Sequence, residues 1–192
     1  MNSISTKDFV NDADYPTQFE GWICPHYKVW ASMKNRVCKL YSDVGICKDW
    51  LVFSNFSKWM ETQPWIGRQL DKDILGGDKK IYSPETCRFV PSWINTLVVR
   101  QDNRRGKYPI GVHHKPGYKR PFAAQVNDGL GGKLHLGYFN TPEEAHAEYL
   151  LGKAAVVKSA IERWKSSGLG NGDEDIIQAL IKQYVEVEKY EQ

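Results

Sequence analysis

The chain has 192 residues, 41% of them hydrophobic and 26% charged, with a formal net charge of only +3. That length supports one large or two small hydrophobic cores, and the apolar fraction excludes a disordered or fibrous chain. No apolar run approaches the ~20 residues needed to span a bilayer, so the sequence reads as a soluble cytoplasmic protein without membrane partners.

The segment Met1 to Pro16 is polar and acidic rather than signal-like, and residues 1–18 read as a flexible N-terminus. From residue 19 to 99 the composition changes: the stretch is rich in Trp and Cys and nearly charge-neutral. Between His26 and Tyr41, the residues Trp30, Met33, Val37 and Leu40 recur at helical steps, as do Phe53, Phe56 and Met60 between Trp50 and Met60. Two amphipathic helices are expected, flanking a short apolar piece at Val44 to Cys47. Their aromatic stripes read as core rather than as a cofactor site.

Residues 70–95 spell LDKDILGGDKKIYSPETCRFVPSWIN. Asp71 and Asp73 are two apart, so on a strand both carboxylates share one side. Gly76-Gly77 and Ser83-Pro84 turn the chain, Arg88-Phe89-Val90 returns as a second strand, and a helix starts near Pro91. Strand, turn, strand, helix is the outline of a ββα-metal site, in which a divalent ion, Mg or Mn, stabilises a scissile phosphate. Asp71, Asp73 and Asn95 are the hard ligands on offer. The alternative for the two aspartates is a polar turn that binds backbone amides. Cys24, Cys38, Cys47 and Cys87 lack any CxxC spacing, which argues against structural zinc and for free thiols.

A polar, basic connector over residues 100–107 includes Arg104 and Arg105 and is expected to cross a DNA backbone. Period-two alternation then places Phe122, Ala124 and Val126 on one side of a strand and Ala123, Gln125 and Asn127 on the other. Turns at Lys115-Pro116-Gly117 and around Asp128 to Gly132 bound two further strands, which gives a three-stranded meander. Thr141-Pro142-Glu143-Glu144 marks a capped helix start, with Thr141 as N-cap, Pro142 at the first helical position and Glu144 closing a capping box. On this helix Ala145, Tyr149, Gly152 and Val156 face the sheet. Residues 104–139 hold seven Lys/Arg against the single acid Asp128, a local net charge of +6 that the rest of the chain does not share. Such a concentrated cationic ribbon suits double-stranded DNA, because phosphate contacts release condensed counterions and a β-ribbon fits the major groove. Beyond residue 166, an acidic helix carries Ile176, Ile177, Leu180, Ile181 and Tyr184 on one side. It is expected to pack on a domain or to form a homodimer seam.

Two resemblances follow from these motifs. Residues 108–165 resemble the Apetala-type (ethylene-response-factor) DNA-binding domain in Gly111-Val112, Phe122-Ala123-Ala124, Leu136-Gly137-Tyr138-Phe139 and Thr141-Pro142-Glu143-Glu144-Ala145. The resemblance implies that the sheet lies in the major groove, with contacts from His113, Lys115, Lys119 or Arg120, Gln125, Asn127, Lys133 and His135. Where plant members carry Arg or Trp this chain has His113, Asn127 and His135, so the base sequence read should differ. Residues 19–99 resemble phage HNH-type endonucleases, through Trp30, Met33 and Arg36 and the LDKD and YSPETC segments. That resemblance implies a catalytic centre of Asp71, Lys72, Asp73 and Asn95 and a metal held by Asp71 and Asp73. The general-base histidine of the motif is replaced by Lys72, a poor base near pH 7 at its ordinary pKa of about 10.4. Cleavage would then need burial of Lys72, a histidine from elsewhere such as His26, or metal-bound hydroxide.

The expected fold is α+β: an N-terminal, helix-rich, HNH-like ββα domain, then a three-stranded antiparallel sheet packed on one helix, then a C-terminal helix. The expected function is that of a phage or mobile-element DNA-binding protein acting as a metal-dependent, homing-type endonuclease. The alternative is a non-cleaving DNA-binding or regulatory protein with a degenerate nuclease domain.

Overall fold

A computed structural model describes residues 4–40, 43–77, 79–98, 107–166 and 173–185. The chain is a mixed α+β protein that divides into two compact units, Met1–Ser92 and Trp93–Gln192. Among the described residues no helix is long and apolar enough to cross a membrane.

In the first unit, the short strands β1 (Gln18–Phe19) and β2 (Trp22–Ile23) form a hairpin ahead of helix α1 (Pro25–Asn35). Strand β3 (Gly45–Ile46) pairs in parallel with β5 (Ile81–Tyr82). Helix α2 (Phe53–Glu61) precedes β4 (Arg68–Asp71), the single turn α3 (Asp73–Gly76) and β6 (Arg88–Pro91), which pairs antiparallel with β4. The helical periodicity is realised: Trp30, Met33 and Val37 are buried from α1 and its continuation, as are Phe53, Phe56 and Met60 from α2. They interlock edge-to-face, with Trp30 on Phe53 at 5.6 Å and Trp50 on Phe56 at 5.2 Å between ring centroids. The buried Trp30 indole donates to the Trp50 carbonyl at 2.7 Å, so its polar atom is satisfied inside the apolar cluster.

Residues 4–17 are built into this unit, unlike the flexible segment that their polarity suggests. Phe9 is buried against Trp30 at 5.5 Å. Val10 exchanges backbone hydrogen bonds with Leu51 and Phe53. Asp12 accepts from the Ser54 amide at 2.9 Å and from its hydroxyl at 2.6 Å. Because Val52, which precedes α2, cannot cap the helix, Asp12 supplies from 42 residues away the acceptor that helix start lacks.

The second unit begins within α4 (Ser92–Val98), a helix whose residues from Trp93 onward belong here rather than to the N-terminal domain of residues 19–99. Leu97 packs toward Gly129, its carbonyl accepts from the buried Lys153 ammonium, and Trp93 meets Trp164 edge-on at 6.2 Å. Strands β7 (Val112–His114), β8 (Phe122–Asn127) and β9 (Lys133–Phe139) form an antiparallel sheet in the order β7-β8-β9. Helix α5 (Pro142–Ser166) follows, and the expected capping box is present: the Glu144 amide donates to Thr141 Oγ1 at 3.2 Å, while Glu144 Oε2 accepts from the Asn140 and Thr141 amides.

The first half of α5 covers the sheet. Ala145 joins Val112 and Ala124 in a small core rimmed by Tyr108, Phe122, Leu136 and Phe139. Two glycines allow this approach. At Gly111, with φ +81°, a Cβ would overlap the Tyr149 ring, and at Gly152 it would lie 2.6 Å from Leu136 Cδ1. The second half of α5 buries Val157, Ala160, Ile161 and Trp164, and the C-terminal helix α6 (Glu174–Leu180) continues into a helical turn, Ile181–Val185, that lies against α5. Ile176, Ile177 and Leu180 are buried there, and Tyr184 lies 5.4 Å from the Lys153 ammonium. Three of the five apolar residues expected on one side of this helix are therefore used within the chain, while Ile181 and Tyr184 are half-buried.

Replacing Gly111 by Ala forces both a left-handed backbone on a side chain and a clash with Tyr149. Thermal unfolding of G111A should show the second unit destabilised by about 1–3 kcal/mol, with retained helical content confirming that the fold survives.

Candidate nucleic-acid interface

Strand pairing fixes which side chains share the face opposite α5. His113 lies opposite Ala123, Tyr138 opposite Ala123, His135 opposite Gln125 and Lys133 opposite Asn127. Since paired residues point to the same side and alternate residues to opposite sides, His113, Gln125, Asn127, Lys133, His135 and Tyr138 share the outer face. The inner partners are Val112 with Ala124 and Phe122 with Phe139. His114, paired with Phe122, sits among the Tyr108 and Phe122 rings on the inner side.

A bulge between Ala124 and Gln125 in the ladder leaves Leu136 as the extra residue of β9. Strict alternation from Lys133 and His135 would have turned Tyr138 inward; the bulge turns it out. There it stacks on Tyr118 at 5.0 Å and touches His135 at 4.6 Å, which makes an exposed aromatic group that the sequence pattern did not disclose.

The cations of this region are uncommitted. Lys115, Lys119, Arg120 and Lys133 are exposed, and none forms an ion pair among the described residues. Lys115 to Pro121 forms a closed loop, with the Lys115 amide donating to the Pro121 carbonyl at 2.7 Å and Gly117 at φ +86°. The one acid nearby, Asp128, is spent on structure: its Oδ1 accepts from the Leu130 and Gly132 amides at 2.7 and 2.9 Å. Asn127 is partly spent as well, because its Oδ1 accepts from the Gly129 amide at 2.8 Å. Arg104 and Arg105 lie outside the described residues.

Partial burial holds the His113 pKa below 6.5, and the Lys133 and Lys115 ammonium groups push it in the same direction. His113 is therefore neutral at pH 7. As the pH falls below 6.5 the unfolded chain takes up this proton more readily than the folded one, so the folded state loses stability in that window. An NMR titration should show the His113 midpoint rising in Lys133→Ala and in Lys115→Ala, the charge contribution being removed while burial remains.

The expected metal-binding segment has a different geometry. Strand β4 ends at Asp71, and Asp73 opens the helical turn α3, so the two carboxylates do not share a strand face. Asp71 is only 7% exposed, and its Oδ1 accepts from the Asp73 and Ile74 amides at 2.9 and 2.8 Å. This is the polar turn of the alternative reading. Burial raises its pKa, against the lowering effect of those amides and of Lys72. Asp73 is exposed and ion-paired with Lys72, whose ammonium is largely enclosed and lies 5.7 Å from the Tyr82 ring centre. Asn95 sits on α4 within the second unit.

A divalent ion of the Mg or Mn type takes several converging oxygen ligands. These residues do not fit one: Asp71 is turned into the backbone, Asp73 is neutralised by a lysine, and no three His, Cys, Asp or Glu side chains converge among the described residues. His26 is engaged elsewhere, with its Nδ1 2.7 Å from Ser57 Oγ and its ring edge-on to Trp65. His146 likewise holds the Ile110 carbonyl at 3.0 Å. All four cysteines are free thiols, with Cys87 pushed up to about 12 by burial.

Asp71→Ala leaves two inward amides without an acceptor and should destabilise the first unit by about 1–3 kcal/mol. Asp71→Asn keeps the acceptor, removes the buried charge and should leave stability nearly unchanged. Paired urea unfolding curves test the contrast. Equal losses in both variants would assign the role to the charge instead.

No protein-family model matches this chain, and no curated protein or solved structure matches it either.

Proposed function

We propose that the chain binds double-stranded DNA through the outer face of β7, β8 and β9, laid in the major groove. The observation that carries this reading is the sheet's two-sidedness. One face is sealed by α5, and the other presents unpaired lysines beside hydrogen-bonding side chains. Phosphate contact by Lys115, Lys119, Arg120 and Lys133 supplies affinity, and the groups in the middle of the face meet base edges. The resemblance of residues 108–165 to Apetala-type domains supports the same docking.

For the first unit, the antiparallel pair of β4 and β6 with the LDKD and YSPETC segments supports the resemblance to HNH-type endonucleases of phages and mobile elements. The placement of Asp71 and Asp73 favours the non-cleaving reading, in which that scaffold is retained without a working metal centre. Lys72 stands where a general base would act, and its ammonium is engaged in an ion pair with Asp73.

Binding of a fluorescent duplex should weaken in Lys133→Ala, and the salt dependence of its affinity should fall by roughly one unit of slope. An unchanged slope removes this face from the interface. With magnesium or manganese, the full chain should retain supercoiled plasmid without nicking it. Metal-dependent nicking that disappears in the Asp71→Asn, Asp73→Asn double variant would establish the endonuclease reading in its place.

A further inference from the structure

We propose that Gln125 is the residue with which this face discriminates between base pairs, and that it selects an adenine. The inference rests on the DNA-binding reading above and specifies the base that the surface takes. In the major groove adenine presents an acceptor, N7, beside a donor, the N6 amino group, and a carboxamide matches this pair with one donor and one acceptor of its own. The outer face carries two carboxamides, Gln125 and Asn127.

They are not equivalent. Asn127 Oδ1 accepts from the Gly129 amide at 2.8 Å in the β8–β9 turn, which takes one of the oxygen's two lone pairs and ties the carboxamide to the hairpin. It is therefore less free than Gln125 to turn both its groups toward a base edge. Among the described residues, Gln125 makes no side-chain hydrogen bond, so both ends of its carboxamide remain available. Its backbone is fixed, with its amide donating to the Gly111 carbonyl at 2.9 Å and its position set opposite His135 at the bulge.

Position strengthens the case. Gln125 belongs to the central strand, and the outward neighbour two residues before it is Ala123, whose small side chain is fully buried. Ala123 is covered by its cross-strand neighbours His113 and Tyr138, so Gln125 is the next residue of the central strand to reach the outer face, while Lys133 lies on the edge strand β9 and Lys115 in the loop after β7. Tyr138, whose ring stacks on Tyr118, offers a single hydroxyl oxygen, and the remaining outward groups that both donate and accept are His113 and His135. Each of those presents one ring nitrogen to a given direction and cannot form the side-by-side pair of bonds.

The test is selection from a randomised duplex library by the full-length chain, followed by sequencing of the bound fraction. The wild type should enrich an adenine at a defined position. Gln125→Ala should flatten that position alone and weaken binding to the best duplex about 5- to 150-fold. Gln125→Glu should shift the same position toward cytosine, whose N4 amino group donates to a carboxylate. Circular dichroism of both variants should match the wild type, since the side chain faces outward. An adenine preference that persists in both variants overturns the proposal, as does binding without any enriched position; DNA binding itself stands in either case. Failure of the wild-type chain to retain any duplex at low salt overturns the DNA-binding reading and this inference with it.

Discussion

The close seating of α5 on the three-stranded sheet governs the second unit. Gly111 and Gly152 let Tyr149 and Leu136 fill the space where side-chain carbons would otherwise stand, and the capping box at Thr141 and Glu144 fixes where the helix begins. Once that face is closed, the polar residues of all three strands, His114 at the end of β7 excepted, lie on the opposite side. A sheet this small would be marginal with both faces in water. With one face sealed, the other tolerates a concentration of like charge that a bare hairpin would not.

The same logic explains why polar groups near the sheet divide into two kinds. Asp128 and the oxygen of Asn127 are consumed in holding the β8–β9 turn, and His146 is consumed in holding the Ile110 carbonyl. Lys115, Lys119, Arg120, Lys133 and Gln125 have no such duty among the described residues. The first unit reverses the proportion. Its polar side chains around β4 are turned toward the backbone or toward one another, and its aromatic core absorbs most of the remaining volume. Uncommitted polar groups around the three-stranded sheet and structurally engaged ones around β4 thus lie in different units.

Much of this was legible in the residues. Helical spacing found Trp30, Met33, Phe53, Phe56 and Met60, and capping chemistry placed the start of α5 to the residue. Strand alternation sorted β8 correctly because both faces there are regular. On β9 that regularity does not hold: one extra residue at the bulge reverses the phase and brings Tyr138 outward. The pairing of Asp71 with Asp73 failed for a related reason: a two-residue spacing implies a shared face only while the strand continues, and β4 stops at Asp71. Asp71 stops it by drawing the following amides onto its own carboxylate. Non-local partners such as Asp12 with Ser54 leave no local pattern at all.

That last contact carries a consequence for the order in which the first unit is assembled. Asp12 leaves the ribosome well before α2 is synthesised, so the acceptor for the Ser54 amide is already present when the helix can first form. The parallel partner of β3, by contrast, arrives only with Ile81, after both main helices of the unit have been made. During translation the helical, aromatic half can therefore settle around its leading segment first, with the β3–β5 closure and the turn at Asp71 added onto a body that is already partly packed.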